Sequence, residues 1–180
     1  MVLEFDRDGR LSTRGLPVCQ PGKIRNAGVA TARRRCHKAI VGTGEVHALV
    51  VLNGFWVKVR APLTLFNAPR NGALARVLAH AQPTSLFGET YLVSVPIRRA
   101  RGRFRYRATV NVPRIFDGSG VLVHAHGKIR RLFRARGAQR SYVAARCRGD
   151  GLLAVHGSFS FEDGTVISGE VEQPCTPKRR

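Results

Sequence analysis

The sequence predicts an all-β fold, a single antiparallel β-sandwich or distorted barrel of about nine strands with one short helix near residues 26–38. Three observations carry that expectation. Apolar and polar residues alternate with period two almost everywhere after residue 40, helical periodicity is nearly absent, and Gly, Pro, Asn and Asp break the chain roughly every 8–12 residues. With 180 residues and apolar side chains spread along the whole length, residues 1–180 read as one domain with one core.

At the N-terminus, DRDGRLS has the Asp, Asp and Gly of the middle of an EF-hand calcium loop. The position that would need the closing bidentate glutamate is Gly15, and no helices flank it, so a turn of a β-hairpin across Phe5 to Leu11 is expected instead. The helix is expected in RNAGVATARRRCHKA, about three turns long. Asn26 is its N-cap, and Arg33, Arg34, Arg35 and Lys38 suit the negative end of its dipole. Nine strands follow: EVHALVVL, FWVKVRAPLTLF, ARVLAHAQ, YLVSVPIRR, RFRYRATVNVP, VLVHAHGKIRRLF, SYVAARC, LLAVHGSFSF and TVISGEVE. The last two are joined by Asp163-Gly164, a dipeptide suited to a type I′ turn.

The cysteines Cys19, Cys36, Cys147 and Cys175 have no C-x-x-C spacing, so neither a zinc knuckle nor a thioredoxin-type motif is signalled. Disulfides fit better. Of three connectivities, Cys19 to Cys36 with Cys147 to Cys175 closes the two shortest loops. A meander of the last three strands would put Cys147 and Cys175 at the same end. Disulfides imply an oxidising compartment, whereas MVLEFDRDGR has no apolar stretch of a signal peptide; an export signal upstream of Met1 resolves the conflict. The alternative is four free cytosolic thiols. No apolar run approaches the roughly 20 residues needed to cross a bilayer as a helix.

With 31 Lys plus Arg against 11 Asp plus Glu, the net charge is +20, which favours polyanions without choosing among them. The arginine excess fits phosphate recognition and equally the codon bias of a GC-rich genome. In RRARGRFRYRATV, period two puts Arg103, Arg105 and Arg107 on one face and Phe104 and Tyr106 on the other. Nucleic-acid sheets expose aromatics beside cations, so this pattern reads as a core-facing aromatic pair and a solvated basic stripe. The stripe would extend to Lys128, Arg130 and Arg131 if those strands pair, giving a surface that contacts an anionic polymer, or nucleic acid non-specifically, by charge.

His124 and His126 share a strand face and would begin a metal site if His80 or His156 converged; alternating histidines more often mark a half-exposed face, and no metal or cofactor is expected. There is no G-x-S-x-G, and Gly42-Thr43-Gly44 precedes a strand instead of following one, so neither a nucleophile elbow nor a phosphate loop is signalled. No catalytic residues are named on this evidence.

Taken together, FDRDGRLSTRGLPVC, ARRRCHKAIVGTG, APLTLFNAPR and GSFSFEDGTVISGEVEQPC resemble a group of uncharacterised secreted β-rich proteins with four cysteines from high-GC actinobacteria. The resemblance implies export and a cystine-stabilised β fold, no catalytic residues, and further sequence before FDRDGR, which makes an N-terminal truncation the expectation. The resulting expectation is a non-catalytic exported or cell-envelope domain with a basic surface. The alternatives are an intracellular nucleic-acid-binding protein and a secreted metal-dependent or hydrolytic enzyme.

Overall fold

The structure is a computed structural model that describes residues 1–84, 88–147 and 151–176. Its elements in chain order are β1 (Val2–Asp6), β2 (Gly9–Leu11), α1 (Val29–Arg35), β3 (Ile40–Leu52), β4 (Phe55–Asn67), β5 (Ala75–Ala81) and β6 (Tyr91–Arg99). There follow β7 (Phe104–Thr109), β8 (Gly120–Ile129), β9 (Leu132–Ala135), β10 (Ala138–Ser141), β11 (Val143–Ala145), β12 (Leu152–Ser160) and β13 (Val166–Pro174). Nine strands form one curled antiparallel sheet, a half-barrel, in the order β13, β12, β1, β7, β6, β5, β4, β3, β8. The remaining four make two small ladders, β9 with β10 and β2 with β11.

Turn chemistry explains the meander from β3 to β7. Asn53-Gly54 has φ of 49° and 81°, the left-handed pair of a type I′ turn, and joins Leu52 directly to Phe55. Arg136-Gly137 makes the same turn between β9 and β10. The β12–β13 hairpin forms where the sequence predicts it, with a different turn. Only Gly164 has positive φ, and its amide donates to the Phe161 carbonyl at 3.1 Å while Phe161 and Thr165 pair at 2.9 Å. This is a type I turn closed by a left-handed glycine, which needs only one left-handed residue.

The two faces of the curled sheet bury different things. On the outer face, Phe66 and Leu78 pack with Ile24, Ala32 and the Cys19–Cys36 bridge beneath α1. On the inner face, Leu65, Val77, Val95 and Ile97 meet Leu16, Val41, Phe133 and the fully buried Tyr142, which the β9–β11 segment carries in. A second inner cluster joins Ala48, Val50 and Val59 to Ile115 and Phe116.

Several local expectations are corrected. The helix is seven residues long, and Gly28, not Asn26, is at its N-cap. No side chain of its own segment caps it; Gln82 does so from the end of β5. The Asp6 to Gly9 turn forms, held by the Asp8 amide on Asp6 Oδ1 at 2.7 Å, yet β1 and β2 do not pair with each other. Burial of the inner apolar residues is better served by placing β1 between β7 and β12. Both disulfides have the expected pairing, with Cα separations of 5.5 and 5.3 Å. The route to the second one differs: β11 pairs with β2 instead of β12, and Cys175 is brought over by its amide hydrogen, which it donates to the Gly151 carbonyl at 2.7 Å.

Candidate anion-binding site

The basic stripe expected from RRARGRFRYRATV does not survive folding as one surface. Arg103 bridges Glu170 at 2.8 Å and Glu172 at 3.1 Å on β13, and Arg107 pairs with Glu4 at 2.9 Å on β1, so both cations are matched by carboxylates. Nor do the strands carrying Lys128, Arg130 and Arg131 pair with β7. Four strands, β6, β5, β4 and β3, separate β7 from β8.

Arg105 behaves differently because the ladder slips at its position. Phe5 faces Tyr106 and Asp6 faces Phe104, leaving Arg105 in a bulge. The bulge breaks strict alternation, so the two aromatic rings diverge instead of sharing one inward face. Phe104 lies 6.0 Å from the His156 ring, and Tyr106 turns the other way, with the Arg105 guanidinium 5.5 Å from its ring centre.

Tyr106 and Arg105 line a cleft of about 390 Å³ with Ser12, Thr13 and four further arginines, Arg14, Arg70, Arg99 and Arg140. These come from five separate parts of the chain. Arg14 follows β2, Arg70 follows β4, Arg99 ends β6, Arg105 is the bulge and Arg140 lies on β10. Arg70 is oriented by a 2.7 Å bond to Thr13 Oγ1, and Arg105 by a 3.3 Å bond to the Arg7 carbonyl. Among the described residues no carboxylate lines the cleft and none of its five arginines makes an ion pair. Five guanidinium groups converging without a counter-charge raise the local positive potential, and planar N–H forks match the oxygens of phosphate, sulfate or carboxylate groups.

Lys128 and Arg130, with Arg131 and His126, line a second groove of about 400 Å³ along β3 and β8. Arg131 is tied to the Lys38 carbonyl at 3.2 Å. The glycines of Gly42-Thr43-Gly44 serve that contact. A Cβ on Gly44 would lie 1.9 Å from the His126 carbonyl oxygen, so only glycine lets β8 approach.

The histidines do not assemble. His124 stacks near His47 at 5.0 Å, His126 faces Glu45, His80 is buried with Nε2 donating to the Ala27 carbonyl at 2.8 Å, and His156 sits 3.5 Å from Glu4. Among the described residues no three His, Cys, Asp or Glu side chains gather as a metal site would need. Comparison with family models, curated proteins and solved structures finds no match for this chain.

Sequence reading named Arg105 and missed Arg14, Arg70, Arg99 and Arg140. Arg14, Arg70 and Arg140 are isolated arginines in a chain that has 26, Arg99 lies in RRARGRFRYRATV but outside the stripe read from it, and no spacing links positions 14 and 140.

Proposed function

We propose that the chain is a non-catalytic exported or cell-envelope β domain that binds an anionic polymer, with the arginine cleft as its main contact. The observation that carries this reading is the convergence of Arg14, Arg70, Arg99, Arg105 and Arg140 beside two hydroxyl side chains with no carboxylate in the lining. The two disulfides fit an oxidising compartment. No helix among the described residues is long and apolar enough to cross a membrane.

The probe for this reading is linear inorganic polyphosphate, titrated against the protein over a salt series. The double variant Arg70→Ala/Arg140→Ala is expected to weaken binding at least tenfold and to flatten the salt slope by about two phosphate contacts. Arg103→Ala/Arg107→Ala removes the same formal charge from residues already paired with carboxylates and should change affinity far less. Equal losses in the two variants would reduce the interaction to net charge and remove the cleft's role.

One observation favours a second reading. Tyr106 lines the cleft beside Arg105, and a ring next to a cation is what stacks an unpaired base. Under that reading a single-stranded oligonucleotide competes better than polyphosphate of equal charge, and Tyr106→Ala removes the difference.

A further inference from the structure

Among the described residues the inner face of the half-barrel is only partly filled. Between the Tyr142 cluster and the Ile115–Phe116 cluster lies a cavity of about 310 Å³, sharing Leu65 and Val95 with the first and Ala48, Val59, Ile115 and Phe116 with the second. Its origin is legible residue by residue. Five inward positions on β3, β4, β5 and β8 are alanine, namely Ala48, Ala61, Ala79, Ala81 and Ala125, where a packed β core would carry Val, Leu or Ile.

We infer that this cavity is a binding site for a linear hydrocarbon chain of about ten carbons, such as the tail of a medium-chain alcohol or acyl group. Three properties select that occupant. The lining has no charged side chain, so a charged group entering would lose its hydration without a partner. It has two titratable groups and both are engaged: the Met1 amino group donates to the Val110 carbonyl at 3.0 Å, and the Tyr91 hydroxyl donates to Glu89 and accepts the Phe116 amide. The space opens to solvent past Val112 and Leu122, and its apolar walls offer water almost no hydrogen-bond partner, so an apolar chain displaces that water favourably.

Shape narrows the choice further. Along β4 the lining runs from Val59 to Leu65, about 20 Å at 3.4 Å per residue, which leaves room for the roughly 13 Å of an extended ten-carbon chain. A volume of about 310 Å³ spread over that length is a slot, which suits an extended alkyl chain and not a fused ring system. Eight-stranded barrels that hold one small ligand use the same inner surface, and here a half-barrel closed by two side-chain plugs takes its place.

The inference is independent of the arginine cleft and is tested with an uncharged probe. Decan-1-ol is titrated calorimetrically into the intact, disulfide-bonded protein. The expected result is one site with a negative heat-capacity change and a rise in melting temperature at saturation. Ala79→Leu, which puts a larger side chain into the slot, is expected to weaken binding at least tenfold. Val93→Ala, at the cross-strand partner of Ala79, widens the slot and should weaken decan-1-ol binding several-fold by removing wall contacts; it keeps the test decisive if the filled variant does not fold. Absence of heat and of any thermal shift in the parent protein overturns the inference. So does binding that neither variant changes but that Trp56→Ser abolishes, because Trp56 and Phe55 form an exposed apolar pair on the β3–β4 turn.

Discussion

Gln82 caps α1 from 53 positions away, its Oε1 accepting the Val29 amide hydrogen at 3.0 Å. The first amides of a helix have no internal acceptor, and Gly28 at the N-cap has no side chain to offer. A Cβ at position 28 would sit 3.2 Å from Oε1, a tight contact that the end of the Gln82 side chain would have to yield to. The helix is therefore fixed to the sheet by the Gln82 cap and by Arg33 Nε donating to Thr64 Oγ1 at 2.9 Å, in addition to its disulfide and apolar face. Gln82→Ala is expected to destabilise the fold by about 1 kcal/mol, the usual value of a lost cap. Urea denaturation measures the loss, and hydrogen exchange should place it in the first turn of α1.

A more severe outcome is expected at Gly44. Its added Cβ would meet the His126 carbonyl oxygen at 1.9 Å and the Gly127 Cα at 2.8 Å, both backbone atoms that no rotamer change can move. Gly44→Ala should detach β8, an edge strand, from β3 at a cost of about 2 kcal/mol or more. Loss of amide protection confined to residues 120–129 and their β3 partners would be its signature; unchanged protection there would show that the strands relax without parting.

Most of the fold was legible because strand alternation and turn chemistry are local. Asn53-Gly54 is a plain hairpin signal between two expected strands, and Asp163-Gly164 marks a real hairpin even though Asp163 stays out of the left-handed region. The β9–β10 hairpin at Arg136-Gly137, a dipeptide with no such preference, was not expected. What local reading could not supply was pairing between distant segments. The β2–β11 ladder, the capping of Val29 by Gln82 and the bulge at Arg105 each depend on a partner about 50 to 130 positions away. The candidate site is of this second kind. Its arginines are ordinary one at a time and distinctive only when the curled sheet and the β9–β11 segment bring them together.

The two disulfides should respond differently to reductant. Cys19 and Cys36 are 0% and 6% exposed inside the outer core, whereas Cys147 and Cys175 are only partly buried. Mild reduction of the folded protein is expected to open Cys147–Cys175 first, read by mass after alkylation. Removing either bridge by paired Cys→Ser substitution should cost about 3 to 4 kcal/mol from chain entropy for closed spans of 17 and 28 residues. The inner consequence differs, because loss of the first bridge also leaves two polar hydroxyls in an apolar cluster. The Cys19→Ser/Cys36→Ser variant is therefore the less stable of the two.

Tyr142 gives an alkaline limit to stability. Its side chain is fully buried, its hydroxyl has no hydrogen-bond partner among the described residues, and burial pushes its pKa from 10.0 up to about 12, with Arg70 acting in the opposite direction. Below pH 10 the phenol is neutral in both folded and unfolded chains, so its contribution does not vary. Between pH 10 and about 12 the unfolded chain releases the proton and the folded one retains it. The unfolded state then binds fewer protons, and stability falls as pH rises. Tyr91, raised to about 12 by burial and by its bond to Glu89, adds a fall in the same window. Tyr142→Phe should remove Tyr142's share and leave that of Tyr91. At pH 7 the same variant should be as stable as the parent or more so, since it deletes a buried hydroxyl that makes no bond. Urea midpoints from pH 7 to pH 11 decide the matter: parallel declines in parent and variant would show that the Tyr142 hydroxyl ionises freely in the folded protein.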